Sequence, residues 1–311
     1  MITIDTTIND TGNSMLSHLI LKKTQSLSRS VSLKANHQGV EFLIVEHEKL
    51  KAAFSLHGGH LIHFQKTHHK PLIWLSKNAI FNGEKAIRGG IPICWPWFGV
   101  APPSLGENLP AHGFARNSKW VIGDIEESDE GVELELKLYS NENTLALWPH
   151  QFELTLKATL NSQLKLQLIT ENKSNKPFTY RGALHTYLNI STPQSVVISG
   201  LSKQFTNSLK NKRRETGDTT LVINKAIDAI YKKSNGDILL KDKLFQHTLI
   251  MTNKGNDSEV LWTPWREGAA TFPDMPDNGY QTMFCIESAI TETSGQLINQ
   301  GEKHILSTLI K

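Results

Sequence analysis

The sequence predicts an all-β protein, mostly antiparallel and with very little helix, on three observations. From about residue 40 onward the dominant hydrophobic period is two, the signature of strands with one buried face. Helical periodicity is nearly absent. The strand-like runs are many and short, and no repeat of fixed length relates them, which argues against propellers and solenoids. A large sandwich or barrel is expected, because stacking or closing the sheets is how so many strands protect their edges.

The elements follow in chain order. Residues 1–35 are rich in Ser, Thr, Asn and Lys with scattered leucines, so a loosely ordered leader with one short helix is expected there. Residues 36–311 are expected to form one domain. Strand-like runs fall at 41–46, 50–56, 60–65, 71–75 and 119–127, and the stretch 132–138 alternates strictly. Residues 152–160 and 164–168 read as a hairpin turning at Asn161 and Ser162. One short helix is expected at 141–147, ended by Pro149. Further runs lie at 178–190, 195–199, 228–232, 237–241, 245–252, 258–262, 280–287 and 303–310, while the basic segment 203–214 reads as a solvated loop.

Composition narrows the function classes. A chain of 311 residues with 39% hydrophobic content can bury one large core. Its 33 basic and 30 acidic residues give a net charge of only +3, which does not point to a nucleic-acid or membrane partner. No apolar run approaches the roughly 18 residues that cross a bilayer, and no charged segment followed by an apolar core opens the chain. The two cysteines, Cys94 and Cys285, do not make a disulfide scaffold. A cytoplasmic monomer is the expectation.

Glu287 is the most informative residue. It interrupts the apolar run 283–290, and a carboxylate buried there must be paired, protonated or kept for acid/base work. If 180–190 is a strand, its alternation sets Arg181, Ala183, His185, Tyr187 and Asn189 on one face, and the same test joins Met283, Cys285 and Glu287. His185 and Glu287 can then share one cavity and perform coupled acid/base catalysis. His185 alone also fits a hydrogen-bonded core histidine. No second carboxylate flanks them as a glycosidase requires; Asp274 is the nearest and sits in a turn-like segment.

Other segments carry chemistry too. The stretch 86–99 is too rich in Gly, Pro and Trp for a regular strand, and Trp95, Trp97 and Phe98 fit either a pocket wall or a core plug. Arg88 and Arg116 can hold a phosphate or carboxylate through their planar guanidinium forks, or serve as structural ion-pair partners. His57, His60 and His63 raise a metal site, but strand alternation sends His60 to the face opposite the other two. Nucleotide loops and the serine-hydrolase elbow are absent.

Taken in register, RGGIPICWPWFG at 88–99, HGFAR at 112–116, WPHQF at 148–152, LHTY at 184–187, WTPW at 262–265, DMPD at 274–277 and CIE at 285–287 resemble the glucose-6-phosphate 1-epimerases, relatives of aldose 1-epimerase. The resemblance covers about residues 40 to 290. It implies a β-supersandwich of the galactose mutarotase type and a cofactor-free interconversion of the anomers of a hexose 6-phosphate. It further implies Glu287 as base, His185 as acid, Arg88 and Arg116 on the phosphate, and His112, Trp97 and Asp274 among the substrate-binding residues. Two positions depart from the family pattern. Asn207 stands where many relatives carry an acid that binds the sugar, so its amide is expected to hydrogen-bond a sugar hydroxyl without adding negative charge, and Ala111 stands where some carry glutamine. The rival readings are a metal-dependent β-barrel sugar-phosphate isomerase using the histidines at 57–63 and a phospho-sugar-binding protein without turnover.

Overall fold

A computed structural model describes residues 19–311, which form three large antiparallel sheets and one two-stranded ribbon, with very little helix. The predicted all-β class holds for a physical reason visible in the nine-stranded sheet. Its central strands Gly131–Tyr139, Phe152–Leu160 and Leu164–Asn172 alternate buried and partly exposed residues. Antiparallel register then lines up Leu136, Leu156, Leu168 and Leu306 in one row across four strands. Such cross-strand rows are the unit of sheet stabilisation. The row packs into a single large core that also holds Phe284, Ile286, Trp95 and Trp120.

That packing positions the site. Strand Met283–Ile290 is buried at all eight positions, because one face meets the core and the other lies beneath a cleft. It is central in an eight-stranded sheet whose order runs from Arg213–Thr216 through Gln204–Asn207, Ile227–Lys232, Ser258–Thr263 and Met283–Ile290 to Gly182–Leu184 and Ile93–Cys94; Tyr187–Asn189 also pairs with Met283–Ile290.

The expected helix forms as Glu142–Leu147. Asn141 caps it, accepting the Thr144 amide at 3.1 Å, while the Thr144 hydroxyl accepts the Asn141 amide. A second helix, Trp265–Ala269, was not anticipated.

Three expectations need correction. The leader does not extend to residue 35, because Lys22–Ser26 and Val31–Ala35 pair with each other and the latter with Glu41–His47, completing a five-stranded sheet. Val31 supplies the reason: it enters the main core at 1% exposure. Residues 1–18, and the helix expected in the leader, lie outside the described residues. The basic segment 203–214 contains Gln204–Asn207 and the start of Arg213–Thr216, an edge hairpin of the site sheet rather than a loop. Residues 71–75 make only isolated bridges, Ile73 to Leu188 and Leu75 to Gly89. Among the described residues no helix is long and apolar enough to cross a membrane.

Candidate active site

Strand register brings acid and base together. Strands Gly182–Leu184 and Tyr187–Asn189 pair with Met283–Ile290 in one common register, Leu184 opposite Ser288 and Tyr187 opposite Cys285. His185 therefore stands opposite Glu287. The ladder opens between them, where the His185 amide donates to the Pro92 carbonyl at 3.0 Å and the Ile286 amide donates to Thr186 at 3.2 Å. Opposed residues on one face have Cβ atoms about 5 Å apart. Accordingly, His185 Nε2 lies 3.3 Å from Glu287 Oε1. The same face continues outward through Val260, which is opposite Glu287, and Ile230, which is opposite Val260.

Electrostatics in this pair follow from burial. The Glu287 side chain is 2% exposed and its Oε2 has no hydrogen-bond partner among the described residues. Desolvation raises its pKa well above the usual carboxylate range, Asp228 adds to the rise, and Arg116 opposes it. His185 is held well below the usual histidine range, first by burial and then by His112, Arg116 and Arg88. The two shifts favour a protonated carboxyl beside a neutral imidazole. Moving that one proton across the pair gives carboxylate and imidazolium with the same total protonation.

Loops over the sheet bring the cations. Gly90, at φ +69°, lets the Arg88 loop lie against the chain, since a Cβ there would meet His60 Nε2 and the Leu61 carbonyl at 2.4 Å. Arg88 Nε donates to Asp274 Oδ1 at 3.1 Å, its Nη1 donates to the Tyr187 hydroxyl at 3.3 Å, and its guanidinium lies 4.4 Å from the Phe272 ring centre. Gly113 similarly seats the segment 112–116 on Trp95, whose carbonyl oxygen a Cβ would meet at 1.9 Å. Arg116 Nη2 donates to the Ala111 carbonyl, and no carboxylate of the described residues lies within ion-pair distance of it. His112 Nδ1 accepts the Gly99 amide at 3.3 Å, which leaves Nε2 of the neutral ring as a donor. Burial and the two arginines push His112 down to about 4.

His185, Glu287, Arg88, His112 and Arg116 thus line one cleft of about 1450 Å³. Three other expected site residues are placed elsewhere. Trp97 is a core plug at 1% exposure, with its indole N–H donating to the Pro110 carbonyl. Asn207 is not among the lining residues, although its neighbours Thr206 and Ser208 are. Its Oδ1 accepts the Leu209 amide and its Nδ2 donates to Glu215 Oε2. Asp274 stands behind Arg88 and orients it.

Three acids that the sequence did not single out, Asp228, Glu215 and Glu292, also line the cleft, and of these Asp228 acts on Glu287. Asp228 faces Trp262 across the register, and Trp262 faces Cys285, so Asp228 shares the face of Glu287 one row away. The alternation Asp228, Ile230, Lys232 held the signal, but only pairing with the Glu287 strand shows which face it is. The histidines at 57–63 do not converge. His57 and His60 each use Nε2 on a separate carbonyl, Lys85 and Gly89, and the described residues contain no His, Cys, Asp and Glu cluster of metal-binding geometry.

Residues 41–311 match the aldose 1-epimerase family. The chain belongs to that family. An Escherichia coli K12 protein with the provisional name glucose-6-phosphate 1-epimerase is 30% identical over 271 residues, covering 87% of this chain and 90% of its own. The crystal structure of a Salmonella typhimurium protein provisionally described as a mutarotase superimposes with a TM-score of 0.87 at 30% identity, over 93% of this chain and 96% of the other. A galactose mutarotase related enzyme from Lactobacillus acidophilus superimposes at 0.67 and 16% identity, over 86% and 96% of the two chains, a likeness of fold alone. This aldose 1-epimerase family member is an isomerase with the galactose-mutarotase type of β-sandwich.

Proposed function

We propose that this epimerase interconverts the α and β anomers of a hexose 6-phosphate, with glucose 6-phosphate as the expected substrate. The observation that carries the reading is the opposed His185–Glu287 pair in a cleft that Arg88 and Arg116 also line. The name borne by the Escherichia coli relative supports the phosphate and the sugar.

Glu287, as carboxylate, takes the proton of the anomeric hydroxyl while the C1–O5 bond breaks and His185, as imidazolium, protonates O5. The sugar becomes the open aldehyde. After rotation about C1–C2 the O5 hydroxyl attacks the other face of the carbonyl, His185 recovers its proton and Glu287 returns one to O1. Both protons are conserved over the cycle. Arg88 and Arg116 hold the phosphate by charge-assisted hydrogen bonds. His112 donates from Nε2 to a sugar oxygen, and Asp228 accepts from a hydroxyl in place of the amide expected at Asn207.

NMR exchange spectroscopy on equilibrated glucose 6-phosphate tests the reading. The protein at micromolar concentration is expected to broaden and exchange the anomeric resonances far faster than buffer does. No acceleration on any hexose 6-phosphate would end the proposal.

A further inference from the structure

Tyr187 touches both halves of the site. Its ring lies parallel to the His185 ring, 4.8 Å between centres and 9° between planes, because the two residues are two apart on one sheet face. Trp74 stacks with it at 5.8 Å, and Trp262 stands edge-on to both Tyr187 and His185 at 5.9 and 6.1 Å. Its hydroxyl accepts from Arg88 Nη1. Its backbone completes the clamp, donating to the Gly90 carbonyl and accepting from the Trp74 amide, both at 3.0 Å, so the loop carrying Arg88 is tied to the strand beside His185. Tyr187 is 3% exposed.

We propose that Tyr187 is a positioning residue linking phosphate capture to acid/base chemistry: its hydroxyl orients Arg88, and its ring keeps His185 aimed at Glu287. The inference rests on the hexose 6-phosphate reading of this cleft. The ring has a second consequence. An aromatic face attracts a cation more than a neutral ring, so it favours the imidazolium formed when the proton leaves Glu287. The groups facing His185 are Glu287, His112, Arg88 and Arg116, and of these only Glu287 also favours that imidazolium.

Two substitutions separate the roles. Tyr187→Phe keeps the ring and loses the hydroxyl, while Asp274 and Phe272 still hold Arg88. It is expected to raise KM for glucose 6-phosphate roughly tenfold, the usual worth of a hydrogen bond to a charged group, with kcat within about twofold and KM for glucose unchanged. Tyr187→Leu removes the ring. It is expected to lower kcat on both sugars by roughly tenfold or more and to shift the imidazolium limb of the kcat profile to lower pH. The imidazole nitrogen NMR signal of His185 Nε2, read without substrate, is expected to move toward free imidazole in Tyr187→Leu and to stay in place in Tyr187→Phe. Equal losses on both sugars in both variants, with an unmoved His185 signal, would make Tyr187 core packing and overturn the proposal. If the unaltered protein anomerises no sugar phosphate, the functional reading fails instead, and the His185 signal still decides the ring contact.

Discussion

Replacing Glu287 by glutamine tests the chemistry at its centre. The amide keeps the shape of the carboxyl, and it can hydrogen-bond His185 Nε2 across the 3.3 Å gap, but it cannot accept the anomeric proton. Loss of a positioned general base costs a factor of about 10² to 10⁴, or roughly 3–5 kcal/mol of barrier. Anomer exchange of glucose 6-phosphate should fall by that factor while KM changes little. The variant should also fold well, because glutamine is uncharged and isosteric at a position where burial disfavours the carboxylate. Linkage gives the sign. A carboxyl whose folded pKa is raised contributes stability that is present below its unfolded value near 4.5 and is lost as pH rises through the folded value. Glu287→Gln removes that loss, so urea melts should show the variant gaining on the unaltered protein as pH rises above 4.5. A folded variant with an unchanged exchange rate would refute Glu287 as the base.

Three further outcomes follow from the same geometry. Arg88→Ala should reduce kcat/KM for glucose 6-phosphate by about 10- to 100-fold through lost charge-assisted bonds, and for free glucose far less; equal losses would make Arg88 structural. Asp228→Asn removes a negative charge that raises the Glu287 pKa, so the acid limb of the pH–rate profile should move to lower pH, and an unmoved limb would show that the two carboxyls are uncoupled. His60 and His63 are buried and pushed down to about 3 and about 4, so their stabilising contribution is present above 6.5 and lost as pH falls toward those values. Urea unfolding of the Glu287→Gln protein, where the opposing carboxyl is gone, should lose up to about 1.4 kcal/mol per pH unit for each of them between pH 6.5 and 5; a flat profile would contradict it.

Much of this molecule can be read from local pattern. The alternation at 132–138, 152–160 and 164–168 marks strands because period two leaves one face apolar, and the same alternation placed His185 and Tyr187 on one face and Cys285 and Glu287 on one face. The helix at 142–147 is legible from its cap and its proline. The strands at 22–26, 31–35, 204–207 and 213–216 are not, because these largely polar strands at or next to a sheet edge lack the apolar rhythm and owe their order to the neighbours that pair with them.

The division at the site has the same cause. Residue type and strand parity already identify Glu287 as a buried carboxyl in need of a partner, and the arginines as anion donors. Parity is a property of one strand, whereas the identity of the facing residue depends on register between strands far apart in the chain. Pairing set His185 opposite Glu287 and brought Asp228 into the cleft, while packing of the loop that follows Ile93–Cys94 buried Trp97 in the core. The cation at Arg88 was visible in the chain, but only the folded protein shows Asp274, Phe272 and Tyr187 gathered around it.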